Sequence, residues 1–161
     1  MAIKMKNIKT LLVISASIFL SVLGCTDNEI EMIDRDYIIE NDTDFLVNIK
    51  FYGRIDGQLS IKSKTLENRG GQLSARLRQS DFDNSGYNTS SAFQGDSVRV
   101  TINNSKFYTN VFNTINYIFS EPLNRNLFIH SNYENLGNER YLFKITQQDY
   151  ENAEDCNGNC D

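Results

Sequence analysis

The sequence predicts an all-β fold: an antiparallel β-sandwich, immunoglobulin-like or transthyretin-like, with about seven short strands. Residues 45–52 and 97–102 alternate apolar and polar side chains with period two, the repeat of a strand with one buried face. Short runs of this kind recur along the chain between clusters of Asn, Asp, Gly and Ser, which are turn formers. Beyond residue 25 no stretch shows the 3.6-residue apolar repeat of a long amphipathic helix. A half-buried sheet face needs a second sheet to cover it, which gives the sandwich. A small closed barrel meets the same need and is the alternative.

The N-terminal segment stands apart from this pattern. Lys4, Lys6 and Lys9 precede an apolar run from Leu11 to Leu23 broken only by Ser15, Ser17 and Ser21. The run is shorter than the roughly 20 residues of a membrane span, so residues 1–24 form a signal peptide. It ends in Val22-Leu23-Gly24-Cys25. This tetrapeptide resembles the lipobox of the bacterial lipoprotein family. The resemblance implies cleavage before Cys25, acylation of its sulfur by a diacylglyceryl group, palmitate chains among the acyl groups, and an extracytoplasmic protein anchored to the cell envelope, at the outer membrane. The alternative is an ordinary signal peptide with a chance cysteine.

Of 161 residues, loss of 1–24 leaves 137, enough for one domain with a core. The full chain has 16 basic and 21 acidic residues; without the three signal lysines the balance is 13 against 21, a net of minus 8. Such a surface repels phosphate backbones and anionic headgroups, which argues against nucleic-acid partners and leaves the lipid as the link to the membrane. An envelope protein or a glycan is the partner class that remains.

Residues 26–36, TDNEIEMIDRD, hold five acids and one base and predict a solvated tether, so that residues 25–36 comprise the acylated cysteine and its acidic spacer. Acids at this place also resemble the surface-export signals of Bacteroidota lipoproteins. The sandwich is expected over residues 37–153. Tyr37 to Glu40 is its first short run, closed by Asn41-Asp42-Thr43-Asp44. In the next strand Phe45, Val47, Ile49 and Phe51 share a face; Asp56-Gly57 ends it, and Leu59 and Ile61 begin another. Residues 63–95 are irregular, with Leu66, Leu73, Ala75 and Leu77 as anchors. Val98, Val100 and Ile102 face inward, and Asn103 to Lys106 turns the chain into a returning strand over 107–112. Residues 116–119, 126–130 and 140–146 supply three further runs, with Pro122 between two of them, and 147–153 forms one or two helical turns.

The tail, 154–161, holds Cys156 and Cys160. With Cys25 acylated they are the remaining pair, and Asn157-Gly158-Asn159 between them is turn-forming, so they are expected to form a disulfide. An inter-chain bridge is the alternative; a zinc site lacks the further ligands that the metal normally takes.

The lipobox together with DSVRVTI at 96–102, RNLF at 125–128 and YLFKITQQDYENA at 141–153 resembles small uncharacterised lipoproteins of the Bacteroidota. These end in an I-T-x-x-D-Y-x-x-A segment, matched by Ile145, Thr146, Asp149, Tyr150 and Ala153. The resemblance implies an anchored β-domain and no established activity.

Candidate chemistry is sparse. A serine or cysteine nucleophile needs a base, and the one histidine, His130, sits near the end of an expected strand with no G-x-S-x-G elbow in the chain. No two carboxylates are marked as facing across a cleft, as a glycosidase requires. Asp81, Asp83 and Ser85, with Gly86 and the carbonyl of Tyr87, reproduce the first half of a calcium loop, but Ala92 stands where the bidentate glutamate belongs. A weak calcium site is therefore weighed against an acidic surface turn. Asp96-Ser97-Val98 resembles the O-glycosylation signal of exported Bacteroidota proteins and points to Ser97, although Asp96 also suits the end of a turn. Tyr87, Tyr108, Tyr133 and Tyr150 are expected to be exposed. The expected role is non-enzymatic, structural or interactive. A carbohydrate- or peptide-binding module of an uptake system is the second reading, and a small hydrolase the third.

Overall fold

The computed structural model describes residues 31–80, 88–112 and 125–160, all within one unit spanning Glu31–Asp161. The strands are β1 (Met32–Asn41), β2 (Val47–Ile55), β3 (Gln58–Leu66), β4 (Gly71–Ser80), β5 (Ser97–Ile102), β6 (Lys106–Val111), β7 (Glu134–Gly137), β8 (Arg140–Ile145) and β9 (Glu154–Asp155). Helix α1 (Asn88–Phe93) precedes β5, and α2 (Gln147–Asn152) follows β8. One sheet has the order β4-β1-β8-β7 and the other β3-β2-β5-β6-β9. Neither closes on itself, so the fold is an all-β sandwich and not a barrel.

The period-two pattern decides which side chains face the gap between the sheets. Tyr37 and Ile39 of β1 and Tyr141, Phe143 and Ile145 of β8 meet Val47, Ile49 and Phe51 of β2 and Val98, Val100 and Ile102 of β5 in one buried cluster. Leu66, expected as an anchor, is buried there, and Leu73, Ala75 and Leu77 of β4 pack against it. Phe93 of α1 stacks on Phe51 with ring centres 4.9 Å apart. This close approach depends on two glycines of the wall: a Cβ on Gly53 would stand 2.5 Å from the Gln94 carbonyl oxygen, and one on Gly95 3.2 Å from Phe51 Cβ.

The Asn41 to Asp44 turn is built as its composition suggests, with an added buried device. Asn41 is fully buried; its Nδ2 donates to the Phe45 carbonyl at 2.7 Å and the Glu67 carbonyl at 2.9 Å. Its Oδ1 accepts from the Thr43 amide at 3.0 Å and the Thr43 hydroxyl at 2.8 Å. One amide thus ties the end of β1 to the start of β2 and the end of β3. Helix α2 matches the expected helical turns, and the Asp149 carboxylate accepts from the Thr146 amide at 2.7 Å, as in a capping box.

Several expectations are corrected. The sandwich is not wholly antiparallel: β1 and β8 pair in parallel, from Asp36↔Arg140 to Asn41↔Ile145. Between β1 and β8 the chain crosses to the other sheet for β2 and β3, comes back for β4, crosses again for β5 and β6 and returns through β7, so no hairpin joins β1 to β8 or constrains their direction. The acidic tether does not extend to residue 36, because β1 begins at Met32 and pairs with β4 from Met32↔Ser80 onward. Asp34 and Asp36 are outward residues of this strand, and Asp36 is bridged by Arg76, whose hydrogen bond holds the carboxyl below its ordinary pKa. Arg35, on the opposite face, is buried, and its Nε donates to Glu139 at 3.0 Å. Residues 71–80 of the stretch expected to be irregular form β4, and Glu154–Asp155, assigned to the tail, pairs with β6 at Lys106 and Phe107. His130 does not end a strand; it opens a 3-10 turn, His130–Asn132. The run at 116–119 and Pro122 lie outside the described residues.

Candidate interaction face

The inner residues of β2 and β5 are fixed by core packing, and the same alternation fixes what those strands present outward. In the five-stranded sheet the outward rows run across the strands by register. Ile61, Tyr52, Ser97 and Val111 form one row; Ser63, Lys50, Arg99 and Thr109 the next; Thr65, Asn48, Thr101 and Phe107 the third. Leu59 and Arg54 extend the surface toward the β2–β3 turn.

The chemistry of this face differs from that of the other sheet. On the outer face of the four-stranded sheet two ion pairs bridge neighbouring strands: Arg76 with Asp36 at 2.7 Å, and Lys144 with Glu40 at 3.8 Å. On the five-stranded sheet the rows carry Lys50, Arg54 and Arg99, and Glu154 of β9 lies opposite Phe107. The Arg99 guanidinium lies 3.9 Å from the centre of the Phe107 ring, a cation–π contact that holds it flat on the sheet. Its Nε is buried without a hydrogen-bond partner. Val111 is 55% exposed beside this pair, and Tyr52 is half-buried next to Ser97. The surface therefore combines flat aromatic and aliphatic area with fixed positive charge on a chain that is acidic overall.

The residues singled out by sequence fall as follows. Ser97 starts β5 inside the face, and its hydroxyl lies 3.3 Å from Asp96 Oδ1; a glycan there would cover the surface. Cys156 and Cys160 are joined in a disulfide with Cα atoms 4.9 Å apart, and the Cys156 amide donates to the Ser105 carbonyl at 2.8 Å, which docks the tail beside the β5–β6 turn. Cys25 and the half calcium loop of Asp81, Asp83, Ser85 and Tyr87 lie outside the described residues. Among the described residues there is no group of three or more His, Cys, Asp or Glu placed to hold a metal ion.

Three of the four tyrosines expected to be exposed are packed inward. Tyr133 is buried and its hydroxyl donates to the Leu127 carbonyl at 2.9 Å. Tyr150 stacks on Phe45 at 4.6 Å between ring centres. Tyr108 pairs with inward Val100, and burial raises its hydroxyl pKa far above the ordinary value. The β5–β6 turn sets this parity, so an inward Val100 forces an inward Tyr108. Tyr87 is outside the described residues. The tyrosine that faces outward on this sheet, Tyr52, carries no sequence mark beyond its place on the polar side of β2.

His130 is half-buried against the aromatic side chains at the end of the core. Its Nδ1 lies 3.1 Å from the Tyr37 hydroxyl, and its ring meets Tyr141 edge-on at 4.5 Å. Burial, and next the nearby Arg35 charge, lower its pKa. Tyr141 donates to the Glu139 carboxylate that also accepts from Arg35, so these side chains form one hydrogen-bonded aromatic layer under the β7–β8 turn.

Comparison of the chain with protein-family models, with curated proteins and with solved structures finds no match.

Proposed function

We propose that this protein is a lipid-anchored protein of the bacterial cell envelope that works by binding, with the outer face of its five-stranded sheet as the working surface. The reading rests on that face, where the Arg99–Phe107 cation–π pair, Tyr52 and the 55% exposed Val111 lie together across three strands held in register. Apolar area rimmed by fixed charge on an otherwise acidic domain is a common mark of an interaction site. The Cys156–Cys160 disulfide supports an oxidising compartment outside the cytoplasm. The lipobox resemblance supplies the anchor.

The role is an interaction with an envelope protein or glycan that presents negative charge. Labelling with a clickable fatty acid tests the anchor: the full chain takes up label and Cys25→Ser does not. Label retained by Cys25→Ser removes the lipoprotein reading. The binding surface is tested by photo-cross-linking from Val111 in the native cell, where adducts should form and be lost with Arg99→Glu.

A further inference from the structure

The five-stranded sheet begins with β3, which pairs with β2 and with no other described strand. The strand is nine residues long, contains no proline, and exposes Leu59 at 67% and Ile61 at 55% on one face. Open edges of this kind are templates for strand addition. We propose that the free edge of β3 pairs antiparallel with β3 of a second copy of this chain, about a twofold axis at Ser60, joining two five-stranded sheets into one.

Hydrogen-bond phase limits the choice of register. Ile55 and Gln58 flank the two-residue turn Asp56-Gly57, in which both residues have positive φ, 50° and 79°. Turns of this class are closed by a pair that exchanges both hydrogen bonds. Gln58, Ser60, Lys62 and Lys64 therefore direct their backbone groups to β2, and Leu59, Ile61 and Ser63 direct theirs to the open edge. Twofold pairing must then match odd residues with odd ones.

Charge and apolar complementarity select among the registers that remain. An axis at Lys62, Ser63 or Lys64 sets lysine against lysine, and one at Thr65 or beyond carries Leu59 and Ile61 past the end of the partner strand. An axis at Ile61 leaves Leu59 opposite Ser63, and an axis at Leu59 leaves Ile61 opposite Gly57. The axis at Ser60 sets Leu59 against the partner's Ile61 twice, Gln58 against the partner's Lys62, and Asp56 against the partner's Lys64. The lysines that would guard an edge against promiscuous pairing become selectors of one register. This inference stands independently of the binding role of the outer face.

The register is tested by cross-linking. In the full chain with Cys25→Ser, which leaves no other unbridged cysteine outside the tail disulfide, Ser60→Cys places two thiols across a non-hydrogen-bonded pair, the spacing a disulfide needs. Mild oxidation should give a disulfide-linked dimer at least about tenfold faster than Ser63→Cys. Gln58→Cys and Lys62→Cys chains should link when mixed, and Gln58→Cys alone should not. The unmutated chain should sediment as a concentration-dependent dimer that Leu59→Lys abolishes, with the melting temperature unchanged at concentrations where the unmutated chain is monomeric. A monomer at all concentrations, a Ser60→Cys yield no greater than that of Ser63→Cys, or linkage by Ile61→Cys in preference to Ser60→Cys would each overturn the proposal.

Discussion

Asn41→Ala should be among the most damaging single substitutions in the described domain. The side chain is fully buried, and its amide makes four short hydrogen bonds that link three chain segments. Truncation leaves the Thr43 amide and the Glu67 carbonyl without this partner, while the Phe45 carbonyl keeps the Thr43 hydroxyl at 3.2 Å. Thr43 is itself buried, so water does not readily replace the lost acceptor. With about 1–3 kcal/mol for each buried group left unsatisfied and partial relaxation at the more open carbonyl, the expected loss is about 3 kcal/mol. For a domain of this size that corresponds to a fall of about 12 °C in Tm. Urea denaturation followed by far-ultraviolet circular dichroism measures it, with Asp42→Asn as an exposed control that should change stability by less than about 0.5 kcal/mol. A loss below about 1 kcal/mol for Asn41→Ala, at unchanged m-value, would show that the turn does not depend on this network.

Three other outcomes follow from buried groups. Tyr108→Phe should stabilise the fold by about 1 kcal/mol, because it removes a buried hydroxyl that has no hydrogen-bond partner; a destabilisation in the same urea assay would contradict this. His130 has its folded pKa depressed below the ordinary 6.5, so the folded state resists its protonation. The associated stability is fully present above that value and is lost as pH falls below it. Tm should drop from pH 7.5 to 5.5, and His130→Gln should flatten that drop; an equal drop in both proteins would contradict the assignment. Removing the tail disulfide with Cys156→Ser and Cys160→Ser should cost at most about 2 kcal/mol, since it closes so short a loop, and reduction of the unmutated domain should add the mass of two hydrogens; two free thiols before reduction would contradict the bridge.

The sequence makes the core strands legible because their inner faces carry large apolar residues without interruption. Val47, Ile49 and Phe51, and Val98, Val100 and Ile102, have no other satisfactory fate than a shared core. Strand β4 is harder to read: Leu73, Ala75 and Leu77 alternate with Ser74, Arg76 and Arg78, but the surrounding Gly, Ser and Asn match the composition of loops. The start of β1 is hidden by acids whose balancing arginines lie some forty residues away in β4, as in Asp36 with Arg76. Parallel pairing of β1 with β8 leaves no local signature, because it depends on where the chain returns. The interaction face is almost silent in sequence. Outward residues of a half-buried strand read as a solvated side, and the union of Tyr52, Arg99, Phe107 and Val111 exists only once three strands are placed in register.

The most direct test of the proposed role is site-specific photo-cross-linking in the native cell. A benzophenone side chain at Val111, on β6 and three strands away from the β3 edge, samples the face without reporting on self-association through β3. A matched probe at Ser74 samples the outer face of the four-stranded sheet, where Ser74 lies opposite Ile38 of β1. Light-dependent adducts of discrete mass should form at Val111, be lost with Arg99→Glu, and be absent at Ser74. Equal yields at the two positions, or adducts at Val111 that survive Arg99→Glu, would show that this face is not the working surface.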